Sequence, residues 1–121
     1  MQRIYTEDGI RFLKEDGTEC ACIRETAADG AAEVVLSGSF PGELAADLWD
    51  ELAALAVGGQ KIVLDLKQVA YLSASAMNAL LQVEKRLEAR KEFLQLRHMP
   101  AAIYADFKKK GMHELFEIEV E

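Results

Sequence analysis

The sequence predicts an α/β fold in which a mixed β-sheet carries helices packed mainly on one face. Four short apolar segments separated by Asp-Gly dipeptides fill the first third of the chain. Apolar residues then recur at helical spacing in three segments, and strand-like runs alternate with those segments. Because the early strands bring no helices of their own, we expect the later helices to share one face of the sheet.

The first third is expected to form an antiparallel meander, with extra N-terminal hairpin strands in residues 1–30. Its strand-like runs lie at 2–6, 10–14, 20–26 and 33–37. The intervening dipeptides are Asp8-Gly9, Asp16-Gly17 and Asp29-Gly30. Asp-Gly favours type I′ hairpin turns, in which both central residues need a positive φ.

A helix and a central strand are predicted next. Pro41 suits a first helical position, and Gly58-Gly59 is expected to end the helix. The apolar stripe of this helix comprises Leu44, Leu48, Leu52 and Leu55, with Trp49 and Ala56 beside it. Residues 61–66 are mostly apolar on both faces and predict a strand covered on both sides.

A second helix is expected to begin within residues 71–82, YLSASAMNALLQ. Its buried face would contain Ala76, Leu80, Val83 and Leu87, widened by Met77 and Leu81, with Lys85, Arg86, Glu88 and Arg90 mostly towards solvent. Residues 93–97 predict a strand, Pro100 to Gly111 a third helix, and 116–120 a last short strand. The short links require right-handed crossovers and parallel pairing.

Composition limits the function classes. The 121 residues fit a single domain, 1–121, and the net charge of −7 opposes nucleic-acid binding, which needs clustered cations. The run Lys108-Lys109-Lys110 before Gly111 fits either a helix C-terminus or an anion site. No apolar window is long enough to span or insert into a bilayer, and we expect a cytoplasmic protein.

Catalytic, metal and cofactor sites are not expected. Cys20 and Cys22 would lie on one face of a strand as small buried hydrophobes, and His98 and His113 are isolated. The G-x-S-x-G and G-x-x-x-x-G-K-[ST] motifs are absent, and neither Ser73 nor Ser75 precedes a lysine by three residues. The sequence therefore predicts no enzyme, no bound metal and no cofactor.

Ser73 and Ser75 lie where a strand passes into a helix, and two interpretations fit them. A serine hydroxyl at a helix start can accept a backbone N–H and act as a cap. An exposed hydroxyl at the same corner can accept a phosphate, which adds nearly two negative charges and changes what docks there.

The segments EVVLSGSF (33–40), KIVLDLKQVAYL (61–72), SASAMNALL (73–81) and KKKGMHELFEI (108–118) together resemble a STAS domain of the anti-sigma factor antagonist (SpoIIAA) type. The third segment aligns without gaps on the family's Asp-Ser-Ser-Gly-Leu-Gly-x-Leu-Leu helix start. The resemblance implies a STAS-like fold with a family core over 33–118.

In that family, a kinase-type anti-sigma factor binds around this motif and phosphorylates its first serine, which breaks the complex. On this chain the aligned positions are Ser73 for the family's Asp, Ala74 for the phosphoacceptor, Ser75 for the second Ser and Ala76 for the Gly. Ser75 remains a candidate phosphoacceptor. The implied partner-binding residues are Ser39, Phe40, Ser73, Ala74, Ser75, Met77 and Asn78.

The resemblance thus implies a regulator that binds an anti-sigma factor or another regulatory protein but lacks the usual phosphoacceptor. Two alternatives remain. One is a non-switching scaffold subunit of a transporter or stress-sensing complex, and the other is a small-molecule or nucleotide binder. Homodimerisation is a further expectation, because one face of the sheet would lack helices.

Overall fold

A computed structural model describes residues 1–28, 30–58 and 61–121. The described chain forms one seven-stranded sheet whose spatial order follows the chain order. The strands are β1 (Gln2–Tyr5), β2 (Gly9–Leu13), β3 (Glu19–Ala28), β4 (Ala31–Phe40), β5 (Lys61–Leu72), β6 (Leu94–Met99) and β7 (Glu117–Val120). The helices are α1 (Ala45–Val57), α2 (Ala74–Glu88) and α3 (Ala101–Lys109), with a 3-10 turn at Gly42–Leu44 before α1.

The sheet is mixed, as predicted. The pairs β1–β2, β2–β3 and β3–β4 are antiparallel, which short connections allow. Strands β4 to β7 pair parallel, with α1, α2 and α3 as the connections between them. The N-terminal meander and the parallel second half are both confirmed.

The hydrophobic core lies between one face of the sheet and the three helices. Alternate strand residues such as Val34 and Leu64 enter one buried cluster, together with Leu48 of α1, Leu80 of α2 and Phe107 of α3. Strand residues one position away point to the opposite face. The helices therefore share a single face of the sheet, as the sequence predicts.

The N-terminal turns differ from the predicted type. Asp8, Gly9 and Asp16 do not have positive φ, so the type I′ prediction is wrong at Asp8-Gly9 and Asp16-Gly17. At the second of these, Gly17 alone is left-handed, and its N–H donates to the Lys14 carbonyl in a longer loop. Asp29 lies outside the described residues.

Gly9 is required for close approach rather than for a turn. A Cβ atom there would lie 1.7 Å from the carbonyl oxygen of Ile23 on β3. The Asp8-Gly9 dipeptide does lie at the link between β1 and β2, as predicted, but glycine is needed there for close packing against β3 and not for a positive φ.

Two element boundaries and one side-chain orientation also differ from the prediction. Strand β5 continues to Leu72, because its second half pairs with the end of β4. Pro41 is extended and precedes the 3-10 turn instead of opening α1. Cys20 packs against the core cluster whereas Cys22 is buried outside it, because the β2–β3 register shifts beside Cys20. The two thiols therefore do not share a face.

Candidate functional site

The candidate site lies where β4 and β5 end side by side. Since these strands are parallel, their carboxyl ends meet at one edge of the sheet, where α1 and α2 begin. The N–H of Ser73 donates to the carbonyl of Phe40 over 3.0 Å. This hydrogen bond fixes the start of α2 to the end of β4.

Ser73 is the N-cap of α2. Its Oγ accepts the Ala76 N–H at 3.1 Å, and its carbonyl accepts the Met77 N–H at 3.0 Å. Its side chain is buried, with 8% of the residue exposed. The cap interpretation therefore holds for Ser73, whose hydroxyl is occupied by the helix backbone.

The other residues of the motif alternate between surface and core. Ala74, Ser75 and Asn78 are exposed, whereas Ala76 and Met77 are buried in the cluster beneath them. We call Ala74, Ser75 and Asn78 the α2 N-terminal surface. Met77 supports this surface from below and does not present its side chain to a partner.

A shift in the β4–β5 register sets the positions of Ser39 and Phe40, the two β4 residues predicted to bind a partner. The β4–β5 register shifts between Gly38 and Ser39, and Gly38 has a φ of +86°. Ser39 is partly exposed, whereas Phe40 is fully buried in the core. Phe40 thus contributes its backbone carbonyl to the site but not its ring.

A groove between α1 and α2 extends from the α2 N-terminal surface and was not predicted from the sequence. Three adjoining depressions, of about 490, 590 and 160 Å³, form it. The first and second share Trp49 and Ala79, and the second and third share Arg86 and Ala89, so the three are continuous. We call this feature the α1–α2 groove.

The charged residues that line the groove are all cations. Among the described residues, Lys85, Arg86 and Arg90 line it, and no carboxylate does. The Arg86 guanidinium lies over the Trp49 ring, 4.9 Å from the ring centroid. Arg90 donates to the Ala56 and Val57 carbonyls at 2.5 and 3.3 Å, which satisfies the C-terminus of α1.

The sequence contained a partial signal for this groove. Periodicity placed Trp49 beside the apolar stripe of the first helix and Arg86 on the wet side of the second. It could not show that the two side chains meet, because that contact depends on how the helices pack.

Glu84 supports the site from the other side of α2. Its Oε2 accepts the Leu94 N–H at 2.6 Å and so ties the middle of α2 to the start of β6. Burial raises the pKa of the Glu84 carboxyl, and the charges of Glu88 and Glu117 act in the same direction. This carboxyl is a structural acceptor remote from the exposed motif residues.

Neither a cluster of metal-ligating side chains nor a membrane-spanning helix is present in the described residues. Within residues 1–28, 30–58 and 61–121, no three His, Cys, Asp or Glu side chains gather as a metal site. None of the helices in those ranges has the length and hydropathy of a membrane span.

The mixed sheet, the helices on one face and the capped helix after β5 define a STAS-like α/β fold. The family model described as Mlab, STAS domain matches residues 23–117. The chain therefore belongs to the STAS domain family of the MlaB type. The resemblance inferred from the motifs is confirmed.

Solved structures agree with this assignment. An anti-sigma factor antagonist from Mycobacterium paratuberculosis is 18% identical, with a TM-score of 0.75 over 88% of this chain and 89% of that chain. The antagonist SpoIIAA in its unphosphorylated form is 13% identical, with a TM-score of 0.67 over 82% and 89%. The phosphorylated form of the Bacillus cell fate determinant SpoIIAA is 13% identical, with a TM-score of 0.63 over 82% and 92%. Comparison with curated protein sequences gives no significant match.

Proposed function

We propose that this chain is a non-enzymatic, cytoplasmic regulator that binds an anti-sigma factor or a related regulatory protein without a phosphorylation switch. One observation carries the proposal. Ala74, at the family's phosphoacceptor position, is exposed as the first residue of α2 and has no hydroxyl. A kinase that reaches this surface therefore finds no acceptor at residue 74.

The exposed residues of the motif form the proposed contact. Ala74, Ser75 and Asn78 lie on the surface at the start of α2, with Ser39 partly exposed at the end of β4. Small side chains leave the backbone of this helix start accessible to a partner. The hydroxyl of Ser73 is buried and engaged in the cap, so it offers a kinase no acceptor either, and Ser75 is the exposed serine whose modification the test below examines.

The test is phosphorylation by a purified anti-sigma factor kinase with ATP, followed by intact-mass measurement. The wild-type chain should bind the kinase and keep its mass, whereas Ala74→Ser should gain one phosphoryl group and release the kinase. A phosphate on wild-type Ser75, identified by its loss in Ser75→Ala, would contradict the proposal. So would an Ala74→Ser variant that binds the kinase but stays unmodified.

A scaffold role in a transporter or stress-sensing complex is the second candidate. The missing hydroxyl at Ala74 suits permanent association equally well. Purification of the tagged chain from its native cell distinguishes the two candidates. Stoichiometric recovery with transporter or sensor subunits and no kinase would favour the scaffold, and recovery with an anti-sigma factor would favour the regulator.

A further inference from the structure

We propose that the α1–α2 groove binds an amphipathic helix of a partner protein, with small apolar residues on its inner face and carboxylates that pair with Lys85 and Arg86. This inference rests on the proposed protein-binding function. It extends the contact from the α2 N-terminal surface along both helices and defines the chemistry of the partner segment.

The shape of the groove fits a helix. The groove follows α1 and α2 from Ser75 at one end to Val57 at the other. The 13 residues of α1 correspond to a length of about 20 Å, which accommodates three to four turns of a docked helix. A ridge of side chains on a third helix fits the furrow between two neighbouring helices.

The lining of the groove is largely apolar and small. Ala46, Ala79 and Ala89 line successive sections, so an approaching helix can pack closely against both walls. Val57, at the far end of the groove, is 66% exposed and so presents apolar surface to solvent. Trp49 lies at the centre and lines two of the sections. A central tryptophan flanked by small residues is typical of an interface hot spot.

The charge of the groove is opposite to that of the protein. The chain carries a net charge of −7, yet the described charged residues lining the groove are Lys85, Arg86 and Arg90. An acidic segment is therefore attracted to this surface while it is repelled by much of the rest. Three cations on an acidic protein are too few for nucleic acid, which needs a larger basic surface.

The Arg86 side chain is preorganised to bind a carboxylate. Its guanidinium already lies over the Trp49 ring, so less side-chain freedom is lost when it binds. A planar guanidinium pairs with a carboxylate through two parallel N–H···O bonds. A Glu or Asp on the flank of the docked helix would meet Arg86 while the neighbouring apolar residues cover the indole.

The experiment is a selection of helical peptides from a random display library against the whole chain. Trp49, the single tryptophan, reports binding in the groove through its fluorescence. Selected peptides should combine small apolar residues at helical spacing with Asp or Glu. Arg86→Glu should weaken their binding by about tenfold or more. Lys14→Glu makes the same change of charge in an exposed loop and should leave the affinity within about twofold.

The inference is overturned if the selected peptides are not enriched in acidic residues, or if their affinity is unchanged in Arg86→Glu. The proposed function is tested separately, because the kinase should lose binding in Ala74→Arg whether or not any peptide depends on Arg86. A concentration-dependent change in Trp49 fluorescence of the protein alone would assign the groove to a second copy of the chain and overturn the inference as well. Circular dichroism and thermal unfolding establish that each variant is folded.

Discussion

At the scale of single residues, Ser73 and Ala74 are neighbours in the sequence but have different surroundings. Ser73 is buried, and its hydroxyl is engaged with the Ala76 N–H, whereas Ala74 is exposed and inert. The hydroxyl in this pair therefore stabilises the helix. In the proposed function, the missing hydroxyl at exposed Ala74 leaves a kinase no acceptor at that residue.

Replacing Ser73 by Ala should destabilise the protein by about 1 kcal/mol, because the buried Ala76 N–H loses its acceptor. Urea unfolding followed by circular dichroism measures the change. Ser75→Ala, two residues away and exposed, should alter the free energy of unfolding by less than about 0.5 kcal/mol. Equal losses in the two variants would show that Ser73 is not the cap in solution.

Gly38→Ala should be much more costly than Gly17→Ala. Both glycines have a φ of +86°, so both substitutions carry the strain of a left-handed alanine, about 1–2 kcal/mol. At Gly38 the new Cβ would also lie 2.3 Å from the Cys20 carbonyl oxygen, whereas at Gly17 it meets nothing within 4 Å. Thermal unfolding compares the two. Similar midpoints would mean that the backbone around Gly38 relaxes freely and does not hold the end of β4 in place.

At the scale of secondary-structure elements, the N-terminal hairpin is part of the hydrophobic core. The family match begins at residue 23, after β1 and β2, yet Ile10 and Phe12 of β2 belong to the buried cluster. Arg3 on β1 also forms two hydrogen bonds to Asp47 on α1, at 2.6 and 2.8 Å. The hairpin thus covers the core beyond β3 and is joined to the first helix.

Phe12→Ala should therefore cost about 3–5 kcal/mol, as expected for truncating a fully buried aromatic side chain. Tyr5→Ala is the matched control, because Tyr5 lies in the same hairpin and is 71% exposed. Its effect on the free energy of unfolding should be below about 0.5 kcal/mol. A small loss for Phe12→Ala in urea unfolding would indicate that the hairpin is an appendage.

At the scale of the whole molecule, folding buries two glutamates whose ionised form is unfavourable at neutral pH. Burial raises the pKa of both Glu51 and Glu84, and the nearby carboxylate of Glu25 adds to the effect at Glu51. A carboxyl whose pKa is raised on folding contributes stability that is fully present below its unfolded pKa, about 4.3. That contribution is lost as the pH rises through the folded pKa.

Glu84→Gln should therefore become increasingly stabilising relative to the wild type as the pH rises from about 4.5 to neutrality. The amide keeps an oxygen acceptor for the Leu94 N–H but carries no charge to desolvate. Thermal midpoints measured across this pH range test the prediction. A constant difference for Glu84→Gln would contradict the raised pKa.

The sequence alone determined the α/β class, the order of the elements and a helix start within residues 71–82. These features depend on local patterns, namely apolar periodicity, turn residues and capping side chains, all of which involve residues close together in the sequence. The family motifs added the alignment that matches Ala74 to the family's phosphoacceptor position. Both types of signal come from neighbouring residues.

Only the tertiary structure decided which motif residues reach the surface and where the α1–α2 groove lies. Phe40 and Met77 are buried because the strand and helix that carry them face the core. Arg86 meets Trp49 because α1 and α2 pack side by side. The real turn types and the length of β5 depend on pairing with distant strands. Contacts between residues far apart in the chain fix all of these features, and no local pattern encodes such contacts.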